Sequence, residues 1–298
     1  MKQGRSVDQA LLSWFLMIIL SLIWGSSFIL MKKGLLNFRP AQVAGIRITS
    51  AFLFLLPIAI KNMASIRTRH LKYLFASGVL GSLIPAFLFA TAQTRIESSI
   101  SGVMNGLTPL FTILVGMFFY KLEFSPRSLI GVIIGFIGTF ILITAGNPGN
   151  DWKVDAYALL IVLATLFYGF NVNIVNFRLG DLKSSHITSF SMLLVGPIAL
   201  SYLIVNAGIP GILRSSPTAI YSLLAVITLG VFGTAVAYIL FNKMIKITNP
   251  VFSSSVTYLI PIVAILWGLL DGEKLNGQHF LGVLFIIAGV FIARRIKK

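Results

Sequence analysis

Apolar residues run along this chain in blocks of about twenty, separated by short polar segments. An α-helix rising 1.5 Å per residue needs such a block to cross roughly 30 Å of hydrocarbon. The blocks predict spans at 11–31, 41–60, 71–92, 98–120, 128–145, 155–177, 184–205, 219–242, 250–270 and 278–294. Turn and breaker residues separate several of them: Asn37–Pro40, Ser125–Pro126, Gly146–Asn150, Gly208–Gly211 and Asn249–Pro250. The first block follows Lys2 and Arg5 as a signal peptide would. It continues to Leu30 with no small-residue cleavage site, so it reads as a retained first span. The expected class is an all-α integral membrane protein with ten transmembrane helices.

Composition agrees with the pattern. Of 298 residues, 57% are apolar and 11% charged, against about 25% charged in soluble domains. The polar surface needed to face water is missing, and no length remains for a soluble domain. The net charge of +16 reads as loop lysine and arginine rather than as a nucleic-acid surface, because membrane proteins keep these residues in cytoplasmic loops. With the N-terminus inside, sixteen basic residues fall in inner segments and seven in outer ones, with Arg47 inside a span. Asp8, Glu123 and Asp181 fall inside and the other five acids outside. Both termini are therefore expected in the cytoplasm.

The chain also resembles itself. Shifted by 152, residues 78–118 lie on 230–270 without a gap, pairing Gly78, Gly81, Phe89 and Pro109 with Gly230, Gly233, Phe241 and Pro261. Further along, Glu123 meets Glu273, Gly131 meets Gly282 and Gly138 meets Gly289. Earlier, Trp24-Gly25 meets Tyr168-Gly169, and Pro57-Ile58-Ala59 meets Pro197-Ile198-Ala199. Each half holds five spans. An odd number makes the second half enter the membrane in the opposite sense, giving two inverted five-helix repeats at 11–145 and 155–294. Such halves can exchange conformations and expose a central site to either side in turn.

These residues resemble the EamA-type family of the drug/metabolite transporter superfamily. The first half carries Ile23-Trp24-Gly25-Ser26-Ser27-Phe28, Gly45-Ile46-Arg47 and Asn105-Gly106-Leu107-Thr108-Pro109, followed by Glu123 and Gly131. The second carries Ala237-Tyr238, Tyr258-Leu259-Ile260-Pro261, Gly272-Glu273, Gly282 and Gly289. The resemblance implies ten helices in two modules, an inner-membrane location and transport of metabolites, often outward. Family members handle amino acids, other small metabolites or drugs, so the substrate does not carry over. One departure is that the second-half counterpart of Arg47 falls near Ile187.

Candidate site residues are the polar and aromatic side chains deep in the spans, which normally face protein or water. Trp24 and Tyr168 are repeat mates that either sandwich a planar or apolar solute or serve as packing aromatics. Asn105 and Thr108 precede Pro109, and Ser254, Thr257 and Tyr258 precede Pro261. Each proline removes a backbone donor, and transporters place sites at such helix breaks. The alternative for this group is interhelical hydrogen bonding. Ser27, its mate Asn171, and Tyr238 complete the substrate-binding set. Arg47 is either an anchor for an anion or one half of an ion pair with Glu97, Asp271 or Glu273, the latter reading being preferred. No Asp or Glu lies at mid-membrane, so nothing points to proton coupling.

There is no cysteine, and His70, His186 and His279 are scattered. No Walker sequence, G-x-S-x-G or intramembrane carboxylate pair appears. Neither metal, cofactor nor enzymatic activity is expected. The expected partners are a small-molecule metabolite and membrane lipids, with no nucleic acid, as a monomer or homodimer. The function this points to is secondary transport of small organic metabolites, amino acids or related compounds among them, in the export direction by alternating access. The alternative is a lipid flippase or channel-like facilitator.

Overall fold

The structure, a computed structural model, describes residues 2–122, 126–145, 156–206, 208–248 and 250–293. The expected turn at 146–150, Glu123 and the basic tail from residue 294 lie outside them. The described chain is built from helices: α1 (Lys2–Leu35), α2 (Pro40–Lys61), α3 (Thr68–Ala92), α4 (Ser98–Tyr120), α5 (Pro126–Ala145), α6 (Ala156–Arg178), α7 (Ser184–Asn206), α8 (Ala219–Ile247), α9 (Phe252–Leu270) and α10 (Gly277–Ala293). A short helix, Ile209–Ser215, precedes α8. Among the described residues eight helices are long and apolar enough to cross a membrane. Helices α5 and α10 lie against each other.

Helix ends run past the predicted span ends. Helix α1 continues to Leu35, beyond Lys32 and Lys33, because hydropathy marks where lipid must stop, whereas hydrogen bonding stops only at the Asn37–Pro40 break. Inside the helices the structure adds breaks that hydropathy does not register. Helices α3 and α8 each widen into a π-turn, at Val79–Leu83 and Val231–Val236. Helices α4 and α9 tighten into 3-10 turns at Asn105–Leu107 and Ser255–Tyr258. Those turns have a local cause: a proline ring crowds the carbonyl four residues back, which is Asn105 for Pro109 and Thr257 for Pro261.

Helix α1 packs on α8 and α9, and α6 packs on α3 and α4. Helix α2 runs along α7. A methyl group on Gly138 of α5 would stand 2.7 Å from the Gly282 carbonyl oxygen of α10, and one on Gly289 would stand 2.5 Å from that of Gly131. Later residues of α5 thus meet earlier residues of α10, so the two helices run antiparallel. Only glycine allows that backbone approach.

Much of the exterior is apolar, with Phe118 79% and Leu270 80% exposed; a surface of this kind suits lipid rather than water. Arg47 is buried within α2, whereas the paired charges sit at or beside helix ends. Lys32 pairs with Asp271 and Glu273, both at 2.8 Å, and Lys33 pairs with Asp271. Arg69 and His70 pair with Asp181 at 2.7 and 3.0 Å.

Candidate functional site

A cavity lies among α1, α2, α3, α4, α6, α8 and α9. It leaves about 60 Å³ of space for the centres of water molecules, room for only a few. Of the residues singled out in the sequence, Trp24, Ser27, Arg47, Asn105, Thr108, Tyr168, Asn171 and Tyr238 line it. Ser254 and Tyr258 do not; the 3-10 turn, at about 120° per residue instead of 100°, brings Thr257 to the wall instead. Pro109 is buried beside the wall, and Pro261 is buried in α9.

Phe28, Met31, Phe89, Val172 and Phe241 also line the cavity and were not singled out. The repeat held a signal for all of these but Met31. At an offset of 144 Trp24 matches Tyr168, Ser27 matches Asn171 and Phe28 matches Val172. At 152 Phe89 matches Phe241 and Asn105 matches Thr257. All ten face the same cavity.

The two π-turns offer carbonyl groups to side chains that line this space. The Trp24 indole Nε1 donates to the Gly233 carbonyl at 3.0 Å, and the Tyr238 hydroxyl donates to that of Gly81, the offset-152 counterpart of Gly233. The Trp24 ring meets Tyr238 and Phe241 edge-on at 5.9 and 5.0 Å. Tyr168 stacks on Phe89 at 6.0 Å. Each of the two mated aromatics thus leans on a ring from another helix. Asn171 accepts a hydrogen bond from Ser77 at 2.6 Å. Thr108 donates to the Asn105 carbonyl at 2.9 Å, occupying an acceptor next to the proline break.

Arg47 departs from the preferred reading. It is buried, with 7% exposure, and its Nε donates to the Thr234 hydroxyl at 2.8 Å. Tyr168 lines the same cavity. Neither Glu97, Asp271 nor Glu273 forms an ion pair with Arg47. Asp271 and Glu273 pair with Lys32 at the rim, because Lys32 stands at the end of α1 where they cluster, while Arg47 lies inside the bundle. Its counterpart also shifts: the Gly230 position presses on the Arg47 carbonyl as the Gly78 position presses on that of Ser191. Structurally Arg47 answers to Ser191, not to Ile187, keeping at this point of α2 and α7 the offset of 144 that relates Trp24 to Tyr168.

The EamA-like transporter family model matches residues 11–144 and 156–295. The chain belongs to the EamA-like transporter family. Among similar proteins of known sequence is the Escherichia coli (strain K12) uncharacterized inner membrane transporter YedA, 26% identical over 287 residues, covering 92% of this chain and 87% of that one. Another is a probable amino-acid metabolite efflux pump of the same organism, 26% identical over 295 residues and covering 93% of each. A solved crystal structure superposes with a TM-score of 0.65 at 14% identity, covering 94% of this chain and 96% of the other, which speaks for the fold.

At the rim of this EamA-like bundle Glu273 joins three helices. Its carboxylate accepts from Lys32 Nζ at 2.8 Å, the Ser98 amide at 3.0 Å, the Ser98 hydroxyl at 2.5 Å and the Ser99 amide at 2.9 Å. The acceptor sits at the start of α4, where free amides favour an anion. Burial pushes its pKa up, but these donors outweigh burial and hold it at about 2. Nearby Glu97 is held above the usual carboxylate range by burial and by the charge of Glu273.

Proposed function

We propose that this protein is a secondary transporter that carries small organic metabolites outward across the inner membrane by alternating access. Ten spans form two inverted five-helix halves with both termini in the cytoplasm. The observation that carries the reading is the cavity: it lies at the centre of the bundle, and five pairs of matched positions, one from each half, line it. A site on the axis between two similar halves is the one place that either half can expose in turn.

Further observations support the two halves. Four matched glycines set the α5–α10 crossing. The π-turns in α3 and α8 begin 152 residues apart. The ion pairs join segments that the basic-residue bias places on the same side: Lys32 and Lys33 with the 271–273 segment outside, Arg69 and His70 with Asp181 inside. Similarity to a probable amino-acid metabolite efflux pump supports compounds related to amino acids, carboxylates among them, as cargo and export as the direction.

Proteoliposomes loaded with mixed metabolites test the reading. Expected is release of a small set of solutes only when the protein is present, with saturation and counterflow. Release of none overturns transport, and release without saturation or counterflow points to a channel.

A further inference from the structure

We infer that the cavity is built for an organic monoanion, a carboxylate with an aromatic or other apolar body, and that Arg47 is the residue that binds its charge. The inference rests on the transport reading for what becomes of the ligand, but the binding site stands on its own geometry.

Arg47 is the one charged residue among those lining the cavity. A guanidinium buried in a membrane-crossing bundle is costly unless an anion compensates it, and among the described residues no carboxylate pairs with it. Its hydrogen-bond partner, the Thr234 hydroxyl, is neutral. A guanidinium has five N–H donors in a planar fork, so this bond leaves donors for a bidentate carboxylate. Among the described residues nothing supplies the compensating charge, and the cavity is where an anion from outside the protein would meet it.

The remaining wall sets the rest of the ligand. Trp24, Phe28, Phe89 and Phe241 give it an apolar, aromatic lining. Among the described residues the lining holds no carboxylate, so an ammonium group would meet only neutral oxygens and the repulsion of Arg47. The site therefore ranks an anion above a zwitterion and a zwitterion above a cation. One guanidinium balances one charge, which favours a monocarboxylate over a phosphate dianion. The repeat sharpens the point. Arg47's counterpart, Ser191, borders a smaller polar space together with Ser82, the counterpart of Thr234. Packing at this crossing is thus met by serine in the other half, and the charge is an addition specific to this one.

The test compares four probes sharing one ring on the purified full chain by isothermal titration: phenylacetate, its neutral amide, phenylalanine and phenethylamine. Phenylacetate should bind at least about tenfold more tightly than the amide, as expected for a charge-assisted hydrogen bond, with phenethylamine weakest. Arg47→Gln should reduce the acid–amide preference to about twofold or less, and Arg47→Lys should keep part of it. The wild-type comparison of acid with amide needs no variant, so misfolding of either substitution leaves it decisive. Equal binding of acid and amide, binding of none of the four, or a preference that survives Arg47→Gln in a folded protein overturns the inference. Proteoliposomes separate it from the transport reading. If phenylacetate binds in this order and no solute crosses, transport fails and the anion site stands. If the solutes carried are zwitterions or cations and Arg47→Gln carries them equally well, the anion site fails and transport stands.

Discussion

Replacing Glu273 with glutamine removes one negative charge from the rim and leaves the shape almost unchanged. In the folded protein this carboxyl is held at about 2 against an ordinary 4.5. At about 1.4 kcal/mol per pH unit, that difference corresponds to about 3 kcal/mol of stability for the ionised form. Lys32, its charged partner, keeps 32% of its side chain exposed, so screening reduces the net effect to about 2–3 kcal/mol. A carboxyl with a depressed folded pKa stabilises above its unfolded pKa and loses the effect as pH falls toward the folded one. The contribution is therefore full at pH 7, falls to about half near pH 3, and disappears below pH 2. Thermal unfolding in detergent at pH 7, 5, 4 and 3 follows this directly. Wild type should lose stability across the acid range, whereas Glu273→Gln should start lower at pH 7 and show a shallower acid slope. The same staple joins α1, α4 and the end of α9 at the mouth assigned to the outside. Weakening it by about 2 kcal/mol shifts a two-state equilibrium about thirtyfold toward outward opening. A cysteine placed at Asn105 in this cysteine-free chain should then react faster with an impermeant thiol reagent added outside. Equal unfolding midpoints and equal acid slopes in the two proteins would refute the reasoning.

Gly138→Val puts a side chain against the Gly282 carbonyl; it should cost at least about 1–3 kcal/mol, read as a lower unfolding midpoint, with no change expected from Gly211→Ala, whose position is open. Trp24→Phe keeps a ring but deletes the donor to the Gly233 carbonyl; transport should fall several-fold, and Trp24→Ala should lower it further, both measured as initial rates in proteoliposomes. Asp181→Asn removes the exposed partner of Arg69 and His70 and should change stability by less than about 1 kcal/mol, which thermal unfolding checks. Reporter fusions after residues 150 and 298 should read outside and inside respectively, and an outside C-terminus would sink the proposed topology.

The all-helical, membrane-crossing character and the family resemblance were legible in the sequence because a bilayer imposes a one-dimensional rule: about twenty apolar residues, then a polar break. The repeat was legible for a related reason, since glycines and prolines at backbone-to-backbone contacts are hard to exchange, as Gly131, Gly138, Gly282 and Gly289 illustrate. Trp24, Tyr168, Asn105 and Asn171 could be picked out because polar and aromatic groups deep in a span need an interior neighbour. What the tertiary structure decided was rotation about each helix axis. Within α9 a tightened turn selects Thr257 over Ser254 and Tyr258, and hydropathy carries no information about that angle. Phe89 and Phe241 look like ordinary core in sequence; only the packing of seven helices around one space makes them its wall. The partners of Arg47 follow the same logic. In sequence every nearby acid is a possible counter-ion, but helix placement gives Asp271 and Glu273 to Lys32 and leaves the arginine facing the cavity, because an ion pair depends on three-dimensional reach and not on which segments carry the charges.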